Sequence, residues 1–408
     1  MREGWVRKSL GEIFEPSNER IGSAQDHTDV LSVTKYDGVV LASQYFDKRV
    51  ASKSLEKYKR LNVGDWVYST IHIDEGAIAR NNTGVHGAVS PMYTTMRMKD
   101  RSVLPEILEN ILQSPEMLST YYQNQQGSIN RRRSLPWKKF ASLTVLIPPL
   151  AEQQRIADLM DAVDTAINAA QAEVDAAEGL LRRIRSAIPT ATSSEPLGDL
   201  AKMRSGPSWK AADEAAVPGP GLEPVLGITN TPASGQIDLS TRKYVRGLAA
   251  TTQRLTENSL VMIRTNGNRA RIGNVYRSTP EVEGFAVSAF QIAIEPIDKR
   301  DSEFLYWILG SDPVQDSITE GASGSTGLGN IAIGWLKKLG IPHLNERTRT
   351  EYVENCNSAN ILVATLAAAV NRLRELRSSM LSVLLSGEHE IPDSYNQFLT
   401  DSERVSAR

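Results

Sequence analysis

From Ala151 to Ile188, apolar residues fall at Ile156, Leu159, Val163, Ile167, Ala170, Val174, Ala177, Leu181, Ile184 and Ile188, mostly in alternating steps of three and four. That spacing is a heptad seam, and the stretch is rich in the helix formers Ala, Glu, Gln, Arg and Leu. It predicts a long helix over 151–188, stopped at Pro189 and followed by a Thr/Ser-rich linker over 189–194. A second seam through Val353, Cys356, Val363, Leu366, Val370, Leu373, Leu376, Met380 and Leu384 predicts another over 345–387, with Gly387 as its C-terminal cap. Helices of this size are roughly 55 Å long, longer than a globule of about 150 residues is wide. The economical arrangement is an antiparallel pair packed on each other, acting as a spacer with a globule at either end.

The rest of the chain repeats itself once, in order. Leu10-Gly11-Glu12-Ile13 returns as Leu197-Gly198-Asp199-Leu200, and Asp65-Trp66-Val67-Tyr68 as Ser259-Leu260-Val261-Met262. Val89-Ser90 returns as Val287-Ser288, and Ile147-Pro148-Pro149-Leu150 as Ile341-Pro342-His343-Leu344. Collinear matches of this kind imply two copies of one mixed α/β unit, over 1–150 and 195–344, each followed by a long helix, with a tail over 388–408. The fold class is therefore α+β: two similar mixed α/β domains joined by two long antiparallel coiled-coil helices, with a pseudo-two-fold internal repeat.

Composition narrows the function classes. The chain has 408 residues, 40% of them apolar, and a net charge of −2, so it is neither a small module nor a disordered chain. Its single cysteine, Cys356, allows neither an internal disulfide nor a Cys-based zinc site, and a reducing cytoplasm fits. The opening residues lack the apolar run of a secretory signal. The longest apolar stretch, Ile361 to Val370, is too short to span a bilayer. The five histidines have no metal-ligand spacing, and neither a His-Glu-x-x-His nor a Gly-x-Ser-x-Gly motif is present. No catalytic centre, cofactor site or metal site is expected.

Basic residues cluster locally. Residues 1–150 hold 20 basic and 16 acidic residues, against 15 and 16 in 195–344. Ser128, Asn130, Arg131, Arg132 and Arg133, with Lys138 nearby, suit nucleic acid, because Arg contacts phosphate or guanine bidentately and Asn contacts adenine. A solvated surface loop accounts for the same run. Arg264, Asn266, Asn268, Arg269 and Arg271 surround Gly267 in a stretch that reads equally as a structural turn or a recognition loop. The Gly-rich segment 321–330, with Ser325 and Thr326, lacks the Gly-Lys-Ser/Thr ending of a P-loop and suits a DNA backbone better than a nucleotide; Lys337 follows it.

Three segments carry a family likeness. Ile147-Pro148-Pro149-Leu150-Ala151-Glu152-Gln153-Gln154-Arg155-Ile156 resembles the start of the central conserved helix in specificity subunits of type I restriction-modification systems. Leu384 to Pro392 resembles that family's tail, and Trp5 to Ile13 its opening. The resemblance implies two target-recognition domains, each reading one half of a bipartite asymmetric site in double-stranded DNA. It also implies that the helices dock modification (methyltransferase) subunits, two in number, with a restriction/translocase subunit in the larger assembly. Methyl transfer and ATP-driven cleavage would then belong to those partners, and this chain would be a non-catalytic, cofactor-free component of a phage-defence system. The second copy departs from the pattern: His343 stands where the first has Pro149, and Asn345-Glu346-Arg347-Thr348-Arg349 replaces Ala151 to Arg155. A protein-interaction scaffold without DNA readout is the alternative.

Overall fold

The computed structural model describes residues 3–22, 28–46, 55–127, 133–191, 193–233, 235–321, 329–389 and 391–392. It divides into two compact units, Met1–Ala170 with Ala369–Arg408, and Gln171–Ala368.

In the first unit, strands Phe14–Ser17, Tyr93–Met98, Trp66–Ser69 and Ile78–Arg80 form an antiparallel sheet in that order. A second sheet runs Val39–Leu41, Asp29–Val33, Gly87–Val89, Lys59–Leu61, with its middle pair parallel. A strand pair, Val6–Ser9 with Thr144–Ile147, ties the two ends of the globule together. Two helices, Pro105–Leu112 and Pro115–Asn124, each begin with proline, whose missing N–H costs nothing in a first turn. The core is aromatic: Tyr68 stacks on Phe140 with centroids 4.7 Å apart, and Phe14 meets Trp66 edge-on at 5.3 Å.

The second unit repeats this plan. Ala201–Ser205, Gln291–Pro296, Leu260–Ile263 and Val275–Arg277 form the antiparallel sheet. Glu214–Ala215, Lys243–Arg246, Leu222–Leu226 and Ala286–Val287 form the other, again with one parallel pair. Ser194–Pro196 with Gly340–Pro342 forms the closing pair, and the helices are Ser302–Leu309 and Asp312–Gly321. Every repeated sequence segment occupies the same element in both copies: Leu10–Ile13 and Leu197–Leu200, for example, are both four-residue helices.

The long helices span Leu150–Ser186 and Glu346–Ser386. The first ends two residues before the expected Ile188, because the residues leading into Pro189 are pushed out of helical conformation. Gly387 adopts φ 74° as the expected left-handed cap.

Both seams do more than pair with each other. In the first unit, Ile156 and Met160 from the central helix enter the globule's core with Leu381, Leu384 and Ile391. Asp164 there accepts from Arg377, which also donates to Asn110 Oδ1 at 2.8 Å. This order, early residues of one helix against late residues of the other, is antiparallel. In the second unit, Tyr352 and Cys356 enter the core, and Tyr352 Oη donates to the Arg185 carbonyl at 2.6 Å. Each helix end is thus a core element of its own unit as well as half of a pair.

Cys356 is fully buried, and burial pushes its thiol up to about 11. At pH 8 only about one thiol in a thousand is then thiolate, the reactive form. Iodoacetamide is expected to label the native chain on the order of a hundredfold more slowly than the urea-unfolded chain. Equal rates in a timed mass-spectrometric assay would refute this.

Candidate nucleic-acid interface

One corner of the antiparallel sheet is built alike in both units. In the first, strand Trp66–Ser69 runs into a turn at Ile73–Glu75 that closes at Gly76 with φ 99°. In the second, strand Leu260–Ile263 runs into a turn at Arg269–Arg271 that closes at Gly273 with φ 91°. A Cβ is disfavoured at that φ, so both turns use glycine. A neighbouring segment seals the base of each turn: Leu135 N–H donates to the Thr70 carbonyl at 2.8 Å, and Ile331 N–H to the Arg264 carbonyl at 3.1 Å.

A third segment completes the corner. Thr70 Oγ1 donates to the Met92 carbonyl at 3.3 Å, and Arg264 N–H to the Phe290 carbonyl at 2.8 Å. Met92 is 61% exposed and Phe290 54%. A large apolar side chain held in water at one place in both copies is suited to apolar contact with a thymine methyl or a base face. Sequence reasoning missed both residues, although the Val89/Val287 match would have aligned them.

The expected site residues take different places. Ser128, Asn130, Arg131, Arg132, Ser325 and Thr326 lie outside the described residues. Their flanks are informative. Gln126 bridges Ser134 in the first unit, and Gly329–Asn330 pairs with Thr265–Asn266 in the second, so both segments leave and rejoin the fold beside the corner.

Arg133 lies over the Tyr122 ring at 4.5 Å and donates to the Tyr122 carbonyl at 2.7 Å. Arg264 donates to Ser205 Oγ at 3.0 Å and to the Ile331 carbonyl at 3.4 Å, and Arg271 donates to the Thr231 carbonyl. These three guanidinium groups fasten the corner to its own unit. Arg269 and Asn268 are exposed, and Asn266 is half-buried. Lys138 is exposed on the short helix Trp137–Ser142, and Lys337 just beyond Ile333–Leu336.

The asparagines correct one expectation. Asn266 Oδ1 accepts from the Asn268 amide at 2.8 Å, and Asn268 Oδ1 from the Ala270 amide at 3.1 Å. An adenine contact needs both the oxygen and the nitrogen of a carboxamide. Here the oxygens hold the turn, so only the Nδ2 donors face outward.

Charge is transposed between the copies. The first turn carries Asp74 and Glu75, and its neighbouring segment carries the arginines; in the second, the turn carries Arg269 and Arg271 and the neighbour is neutral. Among the described residues, no group of His, Cys, Asp and Glu side chains could hold a metal ion, and no helix is long and apolar enough to cross a membrane.

Residues 2–175 match the family of the type I restriction modification DNA specificity domain. A chain solved for "Structural basis underlying complex assembly and conformational transition of the type I R-M system" shares 16% identity with a TM-score of 0.57, over 94% of this chain and 98% of that one. The type I restriction-modification S subunit from M. genitalium shares 12% identity with a TM-score of 0.44, covering 93% and 96%. The HsdS subunit from Thermoanaerobacter tengcongensis shares 16% with a TM-score of 0.40, covering 95% and 98%. Among curated proteins, none matches this sequence.

Proposed function

We propose, from the type I restriction-modification DNA specificity domain that residues 2–175 constitute, that the chain is the sequence-specific DNA-binding specificity subunit of a type I complex. Residues 1–150 and 195–344 are its two target-recognition domains, each reading one half of a bipartite asymmetric site. The observation that carries this reading is the repeated corner. Two copies of one scaffold present the same exposed apolar residue, Met92 or Phe290, beside turns of opposite charge. One scaffold with differently charged loops suits two different half-sites, because scaffold sets position and loop chemistry sets base preference.

The helices 151–188 and 345–387 dock the modification subunits, two per chain, with a restriction/translocase subunit as a further partner. Exposed apolar residues support this: Leu180, Ile361 and Leu362 in the second unit, Leu376 and Val383 in the first. Methyl transfer belongs to the partner, so this chain is a non-catalytic component, working in the cytoplasm where the DNA is. The decisive experiment is genome-wide adenine methylation in cells co-expressing the chain with its candidate modification subunit. A bipartite motif that appears only with this chain present supports the reading, and exchanging residues 1–150 then assigns each half. No motif from a folded, associated pair would point to a scaffold instead.

With a net charge of −2 the chain has few phosphate contacts to offer alone. Isolated, it is expected to bind DNA weakly, and tightly and specifically only with modification subunits. Fluorescence anisotropy with a duplex carrying the methylome motif, at about 50 and about 200 mM salt, is the check. High-affinity specific binding by the isolated chain at physiological salt would contradict it.

A further inference from the structure

We propose that the turn Asn266–Arg269 of the second unit is a guanine reader, an assignment that rests on the DNA-specificity reading above and gives it a base.

The argument is one of hydrogen-bond polarity. In the major groove, guanine presents two adjacent acceptors, N7 and O6, whereas adenine presents an acceptor beside a donor and cytosine a donor. A surface that offers only donors therefore satisfies guanine and leaves adenine's amino group facing another N–H. The turn is such a surface. Asn266 Oδ1 and Asn268 Oδ1 accept from the backbone amides of Asn268 and Ala270. An N–H can only donate, so those contacts fix the oxygens inward and turn both Nδ2 groups out.

Arg269 is exposed and carries donors only. Its flank is set by Gly329, where an added Cβ would sit 4.0 Å from the Arg269 Cγ, so the stem lies along the pairing segment. Thr265 Oγ1 lies 2.9 Å from Asn330 Oδ1 and completes a rigid base. Arg264 and Arg271 are occupied with Ser205 Oγ, the Ile331 carbonyl and the Thr231 carbonyl, which leaves Arg269 as the guanidinium of this turn presented to a base edge.

The equivalent turn of the first unit has the reverse polarity. His72 Nδ1 faces Glu75 Oε1 at 2.9 Å, and Asp74 Oδ1 accepts from Gln125 Nε2 at 2.7 Å, so carboxylates dominate its rim. Carboxylates accept from cytosine N4 and do not pair with guanine's acceptors. The guanine preference is therefore a property of the second unit's turn and not of the shared corner.

The test uses the co-expressed complex and its methylome. The wild type should require a G·C pair in the half-site assigned to residues 195–344. Arg269→Ala should relax that one position, raising methylation at non-guanine sites on the order of tenfold or more. Asn268→Ala should relax the same position less. The first half-site should keep its full selectivity, which also shows that the variant folds and assembles. Even loss of methylation across all sequences would mean that Arg269 contacts phosphate, and would overturn the proposal. So would relaxation at an A·T position, or unchanged selectivity. A wild-type complex that imposes no bipartite motif would sink the underlying reading, and that result is visible before any variant is made.

Discussion

Replacing Gln153 by alanine is expected to lower the stability of the first unit by about 3 kcal/mol, because one side chain closes three backbone bonds there. Gln153 is 1% exposed; its Nε2 donates to the Ser102 and Pro148 carbonyls at 3.1 and 2.9 Å, and its Oε1 accepts from the Leu104 amide at 2.8 Å. Alanine leaves an amide and two carbonyls without partners in a site closed to water, at about 1–3 kcal/mol per group with partial relaxation. Next to it, Glu152 Oε2 accepts from Trp5 Nε1 at 3.1 Å, so the same turn of helix also holds the N-terminal segment. Urea unfolding followed by tryptophan fluorescence should show the midpoint falling by about 1 M. Gln154→Ala is the control: that side chain is exposed, bonded only to Asp158 Oδ1, and should shift stability by no more than about 0.5 kcal/mol. Equal shifts in the two variants would refute the account.

Gly206→Ala should be at least as damaging. A Cβ there would sit 1.8 Å from the Val287 carbonyl oxygen and 2.5 Å from that of Ser288. Both atoms are backbone, and Val287 lies on a strand paired with Leu222–Leu226, so neither can swing away as a side-chain tip could. Overpacking of a core costs about 1–3 kcal/mol, and a backbone clash this close belongs at the top of that range or beyond it. The site suffers too, because Ser205 Oγ is the acceptor that seats Arg264 at the base of the recognition turn. Loss of soluble chain, or a thermal midpoint lowered by at least about 4 °C, is the expected outcome. Gly267→Ala is the comparison, since a Cβ there meets nothing within 4 Å, and it should leave the midpoint near that of the parent. A parent-like midpoint for Gly206→Ala would show that the two strands can part at little cost.

The second copy meets the fastening problem of Gln153 with different chemistry. Arg349 pairs with Asp301 and lies over the Phe304 ring at 4.6 Å, pinning the start of the C-terminal helix to the segment before Ser302–Leu309. Sequence comparison reads this stretch as a departure from the first copy, because it matches residue types. The structure shows one joint made by an amide in one unit and by an ion pair with ring contact in the other.

Trp66 and Trp307 show a similar divergence in the cores. Trp66 packs edge-on against Phe14 inside the first sheet, whereas Trp307 donates to Asn357 Oδ1 at 2.9 Å and lies under the Arg277 guanidinium at 4.6 Å. Neither partner set is written in local sequence. Helix Ser302–Leu309 and the C-terminal helix are brought together only by folding.

The sequence by itself determined the repeat, the two long helices to within two residues and the short elements that recur in both copies. Those features follow from local periodicity and from order along the chain, which need no third dimension. It also carried the family likeness in Pro148 to Arg155, whose physical basis is the buried bonding of Glu152 and Gln153. Only the tertiary structure decided which polar groups face outward. Arg133, Arg264 and Arg271 read as free charges in sequence, yet each is fastened to a carbonyl of its own unit. Met92 and Phe290 read as core residues and stand exposed instead. A side chain's availability depends on which distant backbone atoms fold up beside it, and composition and spacing do not encode that.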